Sequence, residues 1–267
     1  MGLHLLLGAL GVVCLVPFYW MVATSLKSDA QVLASPPVWI PHPVMWSNYP
    51  KSLHYIPFLL YTKNTLVICV TTMFGTVLSC SLVAYSFAKL RWPGRDALFV
   101  LVLATLMLPG QVTMIPVFAI FRWLGWIGSY KPLIVPSFLG SAFFIFLLRQ
   151  FFLTIPQELS DAARVDGASD LSIYWKIILP LSRPALITVA LFTFIGAWND
   201  FLGPLIYIND DTKYTLSIGL QQFVSQHGQE WQMLMAAATV MVLPIVVIFL
   251  FAQRSFIKGI TLTGLKG

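Results

Sequence analysis

Long uncharged stretches alternate with short polar segments along this chain of 267 residues. A helix crosses the hydrocarbon core of a bilayer, about 30 Å thick, with about 20 apolar residues, because its backbone groups are bonded within the helix. Five stretches have no Asp, Glu, Lys or Arg: residues 3–26, 64–88, 97–121, 133–148 and 233–252. A sixth stretch, 184–208, carries one charge, Asp200. The pattern predicts six spanning helices.

The predicted fold class is all-α, a polytopic membrane protein in which residues 1–267 form a single transmembrane domain. The fourth stretch has only 16 uncharged residues, so we extend its span to both sides, with Arg149 snorkelling towards the headgroups. The first stretch lacks a basic leader and is as long as a full span, which favours a helix over a cleavable signal peptide. The predicted spans are 3–26, 64–88, 97–121, 131–152, 184–208 and 233–254, with a loop over 153–183.

Composition supports a membrane protein and excludes several other classes. Apolar residues make up 58% of the chain and charged residues 10%, against about 25% charged in a soluble domain. Cys14, Cys69 and Cys80 all lie in apolar stretches, which is typical of small core residues. The histidines are scattered, no spacing indicates a metal site or a catalytic group, and no phosphate-binding G-x-x-x-x-G-K-[ST] loop is present. We therefore expect neither enzymatic activity nor a cofactor in this chain.

The Lys and Arg residues are distributed unequally between alternate loops. Ten lie after the second and fourth spans or in the tail: Lys89, Arg91, Arg95, Arg149, Arg164, Lys176, Arg183, Arg254, Lys258 and Lys266. Six lie in the other loops, which are longer: Lys27, Lys51, Lys63, Arg122, Lys131 and Lys213. Cytoplasmic loops carry the excess of positive residues, so both termini are predicted to be cytoplasmic.

The loop over 153–183 has helical patterning and is too long for a simple turn. Pro156 suits the first turn of a helix, acidic residues follow near its positive end, and Gly167 can end it in the left-handed conformation. A second short helix is predicted over 171–179, stopped by Pro180, with Ser182 capping the fifth span. One interpretation is an amphipathic helix on the lipid surface. The acidic, alanine-rich composition instead favours docking into a protein groove.

The run Asp161-Ala162-Ala163-x-x-Asp166-Gly167-Ala168, followed by Leu179-Pro180 and Pro184, resembles the EAA loop of ATP-binding-cassette (ABC) importer permeases. Asp161 stands where the family usually has Glu, which keeps the charge and shortens the side chain. The resemblance implies a coupling helix that inserts into a cleft of a cytoplasmic ATPase subunit. The implied coupling residues are Glu158, Asp161, Ala162, Ala163, Asp166, Gly167 and Ala168.

Further segments resemble the carbohydrate-importing branch of these permeases: 25–27, 84–85, 90–95, 108–116, 198–201 and the tail 256–267. The resemblance implies a bacterial or archaeal inner-membrane subunit that works by alternating access. The implied partners are a homologous permease in a heterodimer, an extracellular solute-binding protein, and two ATPase subunits that bind ATP and magnesium. Small-residue patches at 75–79 and 140–142 are expected to pack against the partner permease. The polar segment 209–232 is expected to contact the binding protein.

Four polar or aromatic residues within the predicted spans are candidates for the solute path: Gln111, Trp198, Asn199 and Asp200. A charge inside a bilayer needs a partner or water, which makes Asp200 the strongest of them. The alternatives are that Asp200 only caps a helix near the boundary, that Trp198 is an interfacial aromatic, and that Gln111 only fixes helix packing.

Two other functions are compatible with six spans. An ion-coupled secondary transporter usually needs buried carboxylates or broken helices, and only Asp200 qualifies by sequence. A noncatalytic assembly scaffold would leave the predicted cytoplasmic helix without a role. The predicted function is therefore the channel-forming subunit of an importer for a sugar or sugar-like solute.

Overall fold

The computed structural model describes residues 2–225 and 230–264, and that part of the chain is helical without any strand. The longest helices are apolar runs whose backbone is bonded within the helix. In chain order the helices are α1 (Gly2–Ser25), α2 (Asp29–Val32), α3 (Asn48–Tyr55), α4 (Phe58–Lys89), α5 (Arg95–Ala104), α6 (Gly110–Trp123), α7 (Lys131–Ile134), α8 (Ala142–Thr154), α9 (Gln157–Val165), α10 (Asp170–Ile173), α11 (Leu179–Leu181), α12 (Arg183–Asn199), α13 (Leu202–Tyr207), α14 (Leu216–Ser225) and α15 (Trp231–Gly264).

Four helical segments are long and apolar enough to cross a membrane: Gly2–Ser25, Phe58–Lys89, Lys131–Thr154 and Trp231–Phe251. Two bent pairs bring the number to six in the described residues if each pair is one span. The first pair joins Arg95–Met107 to Gly110–Trp123 with a bend of 100°, and the second joins Asp170–Leu181 to Arg183–Asn199 with a bend of 80°. The extension of the fourth span to residue 131 agrees with the helical segment that begins at Lys131.

The third predicted span, 97–121, is broken between Met107 and Gly110. Pro109 disfavours helical backbone at the residue before it, and Leu108 is indeed extended, with φ −84° and ψ 114°. Pro109 itself has ψ 135° and lies just ahead of α6. The apolar pattern could not show this break because both halves are equally hydrophobic.

Two other boundaries differ from the prediction. The fifth span does not continue to residue 208, because Asp200 is extended (ψ 117°) and separates α12 from α13. Pro180 does not stop the second loop helix, which continues through a π-helical turn over Tyr174–Ile178 to Leu181. Pro180 is the second residue of α11 and comes directly after this π-helical turn. Ser182 precedes α12 but makes no side-chain cap.

The chain divides into two compact units, of which the first comprises residues 1–64 and 214–247. In this unit Phe223 of α14 is buried and stacks on Tyr55 with ring centroids 4.9 Å apart. The amide of Asn48 donates to the carbonyl oxygens of Ser25 and Lys27 at 2.9 and 2.8 Å, which joins α3 to the end of α1. The apolar window of α1 is not buried inside the chain, so its side chains must meet lipid or another protein.

The second unit comprises residues 65–213 and 248–267. Its apolar core is formed by buried residues of α4, α5, α8, α10 and α12 together with the turns that join them. The predicted coupling loop is part of this core, because Ile155, Ile173, Tyr174 and Ile178 from that loop are among its buried members. The loop is therefore packed onto the spans rather than attached only at its two ends.

The small-residue patches at 75–79 and 140–142 pack within the chain, contrary to the expectation that they meet a partner permease. A methyl group added to Gly75 would lie 2.6 Å from Oγ of Ser137 and 2.7 Å from the ring of Phe138. Ser79 donates to the carbonyl oxygen of Ser137 at 2.9 Å, and the N–H of Ser141 donates to the sulfur of Cys80 at 3.2 Å. Close helix approach needs small residues on both sides, and here both sides belong to one chain.

We predict that Gly75→Ala destabilises the isolated protein by about 1–3 kcal/mol, because the added methyl overpacks the contact with Ser137 and Phe138. The matched control is Gly11→Ala in α1, where an added methyl meets nothing within 4 Å. Thermal unfolding in detergent, monitored by size-exclusion chromatography, should show a lower midpoint temperature for Gly75→Ala than for the parent protein. Gly11→Ala should have the midpoint of the parent protein. Equal midpoints for the two variants would contradict this packing.

Candidate functional site

The predicted coupling helix is α9, which begins after Pro156 and ends in a well-formed C-terminal turn. Gly167 has φ 81°, a conformation that glycine adopts without strain. The N–H of Ala168 donates to the carbonyl oxygen of Ala163 at 2.9 Å, and the N–H of Gly167 donates to that of Arg164 at 3.0 Å. This pair of bonds is a Schellman motif, which closes the helix sharply and sets the direction of the chain that follows.

Arg164 connects α9 to the start of α10. Its guanidinium donates to the carboxylates of Asp161 and Asp170, each at 2.9 Å. The hydrogen bond that Arg164 donates to Asp170 raises the pKa of its guanidinium above the ordinary range, so Arg164 stays charged at any physiological pH. The two carboxylates flank the turn at Gly167. We call Arg164 with these two carboxylates the Arg164 fork, which holds that turn from outside.

Most of the predicted coupling residues lie on the exposed side of this turn. Glu158, Asp161, Ala162, Asp166 and Gly167 are exposed. Val165 is also exposed, with 88% of its surface accessible. The exposed tip thus combines a bulky apolar side chain with carboxylates and small residues.

Two of the predicted coupling residues face the protein itself. Ala163 and Ala168 are half-buried and pack against the core of the second unit. Ser160, which sequence patterning did not single out, is fully buried on the same side of α9. The small side chains of Ala163 and Ala168 therefore permit close packing of α9 onto its own chain, and the surface open to another protein is formed by the remaining five residues and Val165.

Three side chains of α4 hold the loop to the membrane part of the second unit. The hydroxyl of Tyr85 donates to the carbonyl oxygen of Asp170 at 3.0 Å, and that of Ser81 is 2.7 Å from the hydroxyl of Tyr174. Lys89, only 6% exposed, donates to the carbonyl oxygen of Ile155 at 2.5 Å. Sequence reasoning missed these anchoring roles, because each partner atom lies at least 66 residues away along the chain.

A polar cleft of about 600 Å³ opens between the end of α4 and the loop helices. One wall is Lys89–Trp92, and the other contains Gln157, Asp161, Arg164 and Asp170. Charges of both signs face this cleft, so it suits a polar protein surface better than an apolar ligand.

The candidate solute-path residues do not form one cluster. Gln111 and Asp200 line the same cleft of about 430 Å³. Trp198 is 1% exposed and stacks on Phe194 with centroids 5.6 Å apart, and it does not line this cleft. The amide of Asn199 donates to the carbonyl oxygen of Ile195 at 2.9 Å. The consecutive residues Trp198, Asn199 and Asp200 thus differ in their surroundings: Trp198 is buried, Asn199 bonds back to its own helix, and Asp200 lines the cleft.

Asp200 both caps a helix and lines a cleft. One oxygen of its carboxylate accepts the N–H of Gly203 at 3.0 Å, and the N–H of Leu202 also donates to the carboxylate. These bonds satisfy the free N–H groups at the start of α13. The capping alternative is therefore observed, together with exposure to the cleft. Among the described residues no group of three or more His, Cys, Asp or Glu side chains is arranged to hold a metal.

Residues 78–262 match the family model described as the inner membrane component of binding-protein-dependent transport systems. The match covers more than half of the chain, including α9 and the whole loop around it. The chain belongs to this family and is a transmembrane permease subunit of an ABC importer.

Among its relatives is the sn-glycerol-3-phosphate transport system permease protein UgpE of Yersinia pestis, 35% identical over 92% of this chain and 90% of the relative. The trehalose/maltose transport system permease protein MalG of Thermococcus litoralis is 33% identical over 98% of this chain and 96% of the relative. A bacterial ABC transporter involved in the import of alginate contains a chain of the same fold, with TM-score 0.83, 26% identity and 94% coverage of both chains.

We predict that Arg164→Gln loosens α9, because it removes both ion pairs across the Gly167 turn. The pairs are about half exposed, so together they contribute about 0.5–1 kcal/mol. Hydrogen exchange at the α9 amides should be about two- to fivefold faster than in the parent protein. Arg183→Gln, an exposed arginine at the start of α12, is the control and should leave α9 unchanged. Unaltered exchange in Arg164→Gln would show that the fork does not hold the turn.

Proposed function

We propose that the chain pairs with a homologous permease to form the channel of an importer for a sugar or sugar-like solute. An extracellular binding protein delivers the solute, and two separate ATPase subunits supply the energy. The relatives that support this proposal carry names that refer to glycerol-phosphate, arabinooligosaccharide and trehalose or maltose transport. Related solved structures include a transporter in complex with a periplasmic protein that holds an alginate pentasaccharide.

The observation that carries the coupling proposal is the exposed tip of α9, formed by Glu158, Asp161, Ala162, Val165, Asp166 and Gly167. A helix of nine residues has little area, so it must transmit movement through close contact and a fixed direction. The Schellman motif and the Arg164 fork supply the fixed direction. The bonds from Tyr85 and Lys89 connect the loop backbone to α4, so a displacement of α9 is carried to a spanning helix.

In this proposal the 153–183 loop is cytoplasmic and both termini share its side, as the distribution of Lys and Arg indicates. The outer surfaces then include the segment 209–232, which we propose as a contact for the binding protein. Leu216, Ile218 and Phe223 of this segment are buried, so much of it is a packed helix rather than a polar loop. Gln221 and Val224 are exposed on α14, whereas Gln226 lies outside the described residues.

We predict that Gly167→Asp and Val165→Asp uncouple ATP hydrolysis from uptake or release the ATPase. Gly167 has a positive φ, so a side chain there strains the turn by about 1 kcal/mol or more and alters the direction of α9. Val165→Asp places a charge at the most exposed apolar point of the tip. Each variant should be reconstituted with its partners, and ATPase binding, hydrolysis and transport should be measured together.

The control is Gly125→Asp, because Gly125 also has a positive φ, 66°, and a Cβ added there meets nothing within 4 Å. Gly125 lies between Arg122 and Lys131, in one of the loops predicted to be outside. It carries the same backbone strain and charge without touching α9. Ala163→Asp is a poorer test, since Ala163 packs against the core and its loss would also harm folding. Wild-type levels of all three measurements in both Gly167→Asp and Val165→Asp would refute the coupling role.

We predict that Gln221→Glu combined with Val224→Asp reduces the stimulation of ATP hydrolysis by the binding protein, while basal hydrolysis stays intact. Deleting 221–226 would also remove the buried ring of Phe223, so point substitutions are the cleaner change. Val44→Asp is a control on another exposed outer segment. Full stimulation of the double variant at every binding-protein concentration would argue against this contact.

A further inference from the structure

The cleft that contains Asp200 lies where two spanning helices are interrupted. The extended backbone at Leu108 and Pro109 leads into α6, whose first residues, Gly110 and Gln111, form one wall. The extended backbone at Asp200 leads into α13, which forms the opposite wall. In transporters, irregular backbone at membrane depth is tolerated where it lines a cavity, and broken helices commonly form substrate sites.

The lining of this cleft combines polar and apolar groups, as a site complementary to a sugar ring would. Its polar groups come from Gln111, Thr113, Tyr207 and Asp200, which together offer an amide, two hydroxyls and a carboxylate. Met114 and Ile206 add apolar surface between them. A sugar ring presents hydroxyl groups at its edge and C–H groups on its faces, and the volume of about 430 Å³ lies within the usual range for small-molecule sites.

The lining of the cleft carries negative charge and no positive charge. Of the described residues that line it, Asp200 is the only charged one, and no Lys or Arg faces it. The carboxylate keeps its position because the N–H groups of Leu202 and Gly203 donate to it. A carboxylate accepts hydrogen bonds from hydroxyl groups and repels a phosphate or another carboxylate, and the repulsion is strong where water is scarce.

We propose that this cleft is a solute subsite selective for an uncharged, hydroxyl-bearing ring, and that Asp200 is its specificity-determining residue. The proposal rests on the importer function proposed above and narrows its solute to neutral sugars. The geometry also assigns a positioning role to Gly203, because a methyl group there would collide with a carboxylate oxygen of Asp200. Gly203→Ala should therefore displace the carboxylate while keeping its charge.

The test places a reporter thiol in the cleft of the assembled, reconstituted transporter. Thr113→Cys supplies the thiol, in a chain in which the exposed Cys14 is replaced by Ala and the buried Cys69 and Cys80 are retained. The rate at which this thiol reacts is measured with two methanethiosulfonate reagents. One carries a cationic trimethylammonium group and the other an anionic sulfonate group. Adding Asp200→Asn should lower the cation-to-anion rate ratio by about tenfold. Asp96→Asn, an exposed carboxylate on α5 outside this cleft, should leave the ratio unchanged.

Solute protection supplies the second measurement. Neutral mono- and disaccharides, including glucose, maltose and trehalose, should slow labelling of Thr113→Cys by an uncharged hydroxyethyl methanethiosulfonate, whereas glucuronate and galacturonate should not. Asp200→Asn should remove that preference, and Gly203→Ala should weaken protection by the neutral sugars. Ile115→Cys, an exposed residue of α6 that does not line the cleft, should show no protection.

Three outcomes would overturn the subsite. They are a thiol that none of the reagents reaches, a rate ratio unaffected by Asp200→Asn, and protection that is absent or equal for neutral and anionic sugars. These failures differ from failure of the importer function, because ATPase coupling through α9 is measured separately. Loss of coupling in Gly167→Asp with an unprotected Thr113→Cys would leave the importer standing and remove only the subsite.

Discussion

Backbone polar groups have no water to bond with inside a bilayer, and this constraint shapes the whole chain. Where the sequence is continuously apolar, the groups are bonded within long helices such as α4 and α15, the second of which contains Pro244. Where proline or an extended residue interrupts a helix, other groups must compensate. At Asp200 the carboxylate accepts the N–H groups of Leu202 and Gly203, so the interruption is stabilised by the same side chain that gives the neighbouring cleft its charge.

Hydrogen bonds to the backbone also join the loop over 153–183 to the spans. Backbone oxygens of the loop at Ile155 and Asp170 accept hydrogen bonds from side chains of α4, namely Lys89 and Tyr85. Each bond fixes a point next to one end of α9. The helix is thus held at both ends, while the turn at Gly167 remains exposed. A rigid attachment with an exposed tip is the arrangement that the proposed coupling role requires.

Some apolar surfaces of the chain are covered by the chain itself and others are not. The small residues of α4, Gly75 and Ser79, are covered by Ser137 and Phe138 of the same chain. The apolar window of α1 is instead not covered by the chain, although its composition is just as hydrophobic. Hydrophobicity alone does not distinguish the two cases, since both helices must be apolar to lie in a membrane.

The sequence by itself was sufficient for the helical class, for six apolar segments and for the family. It also placed α9 between 156 and 167 and predicted the positive φ of Gly167, because capping and glycine preferences act over a few residues. The family model and the relatives confirm the predicted kinship to sugar-branch permeases. The coupling and solute-path roles stay predictions.

Other features depended on residues far apart in the chain, and only the tertiary structure could decide them. It brought Gln111 and Asp200 to one cleft while it turned Trp198 into the core. It also placed Ala163 against its own chain rather than on the exposed tip. Hydrophobic periodicity reports that a side chain is apolar but not which surface covers it. That choice follows from packing between helices and from the directions that the chain takes at Pro109 and Asp200.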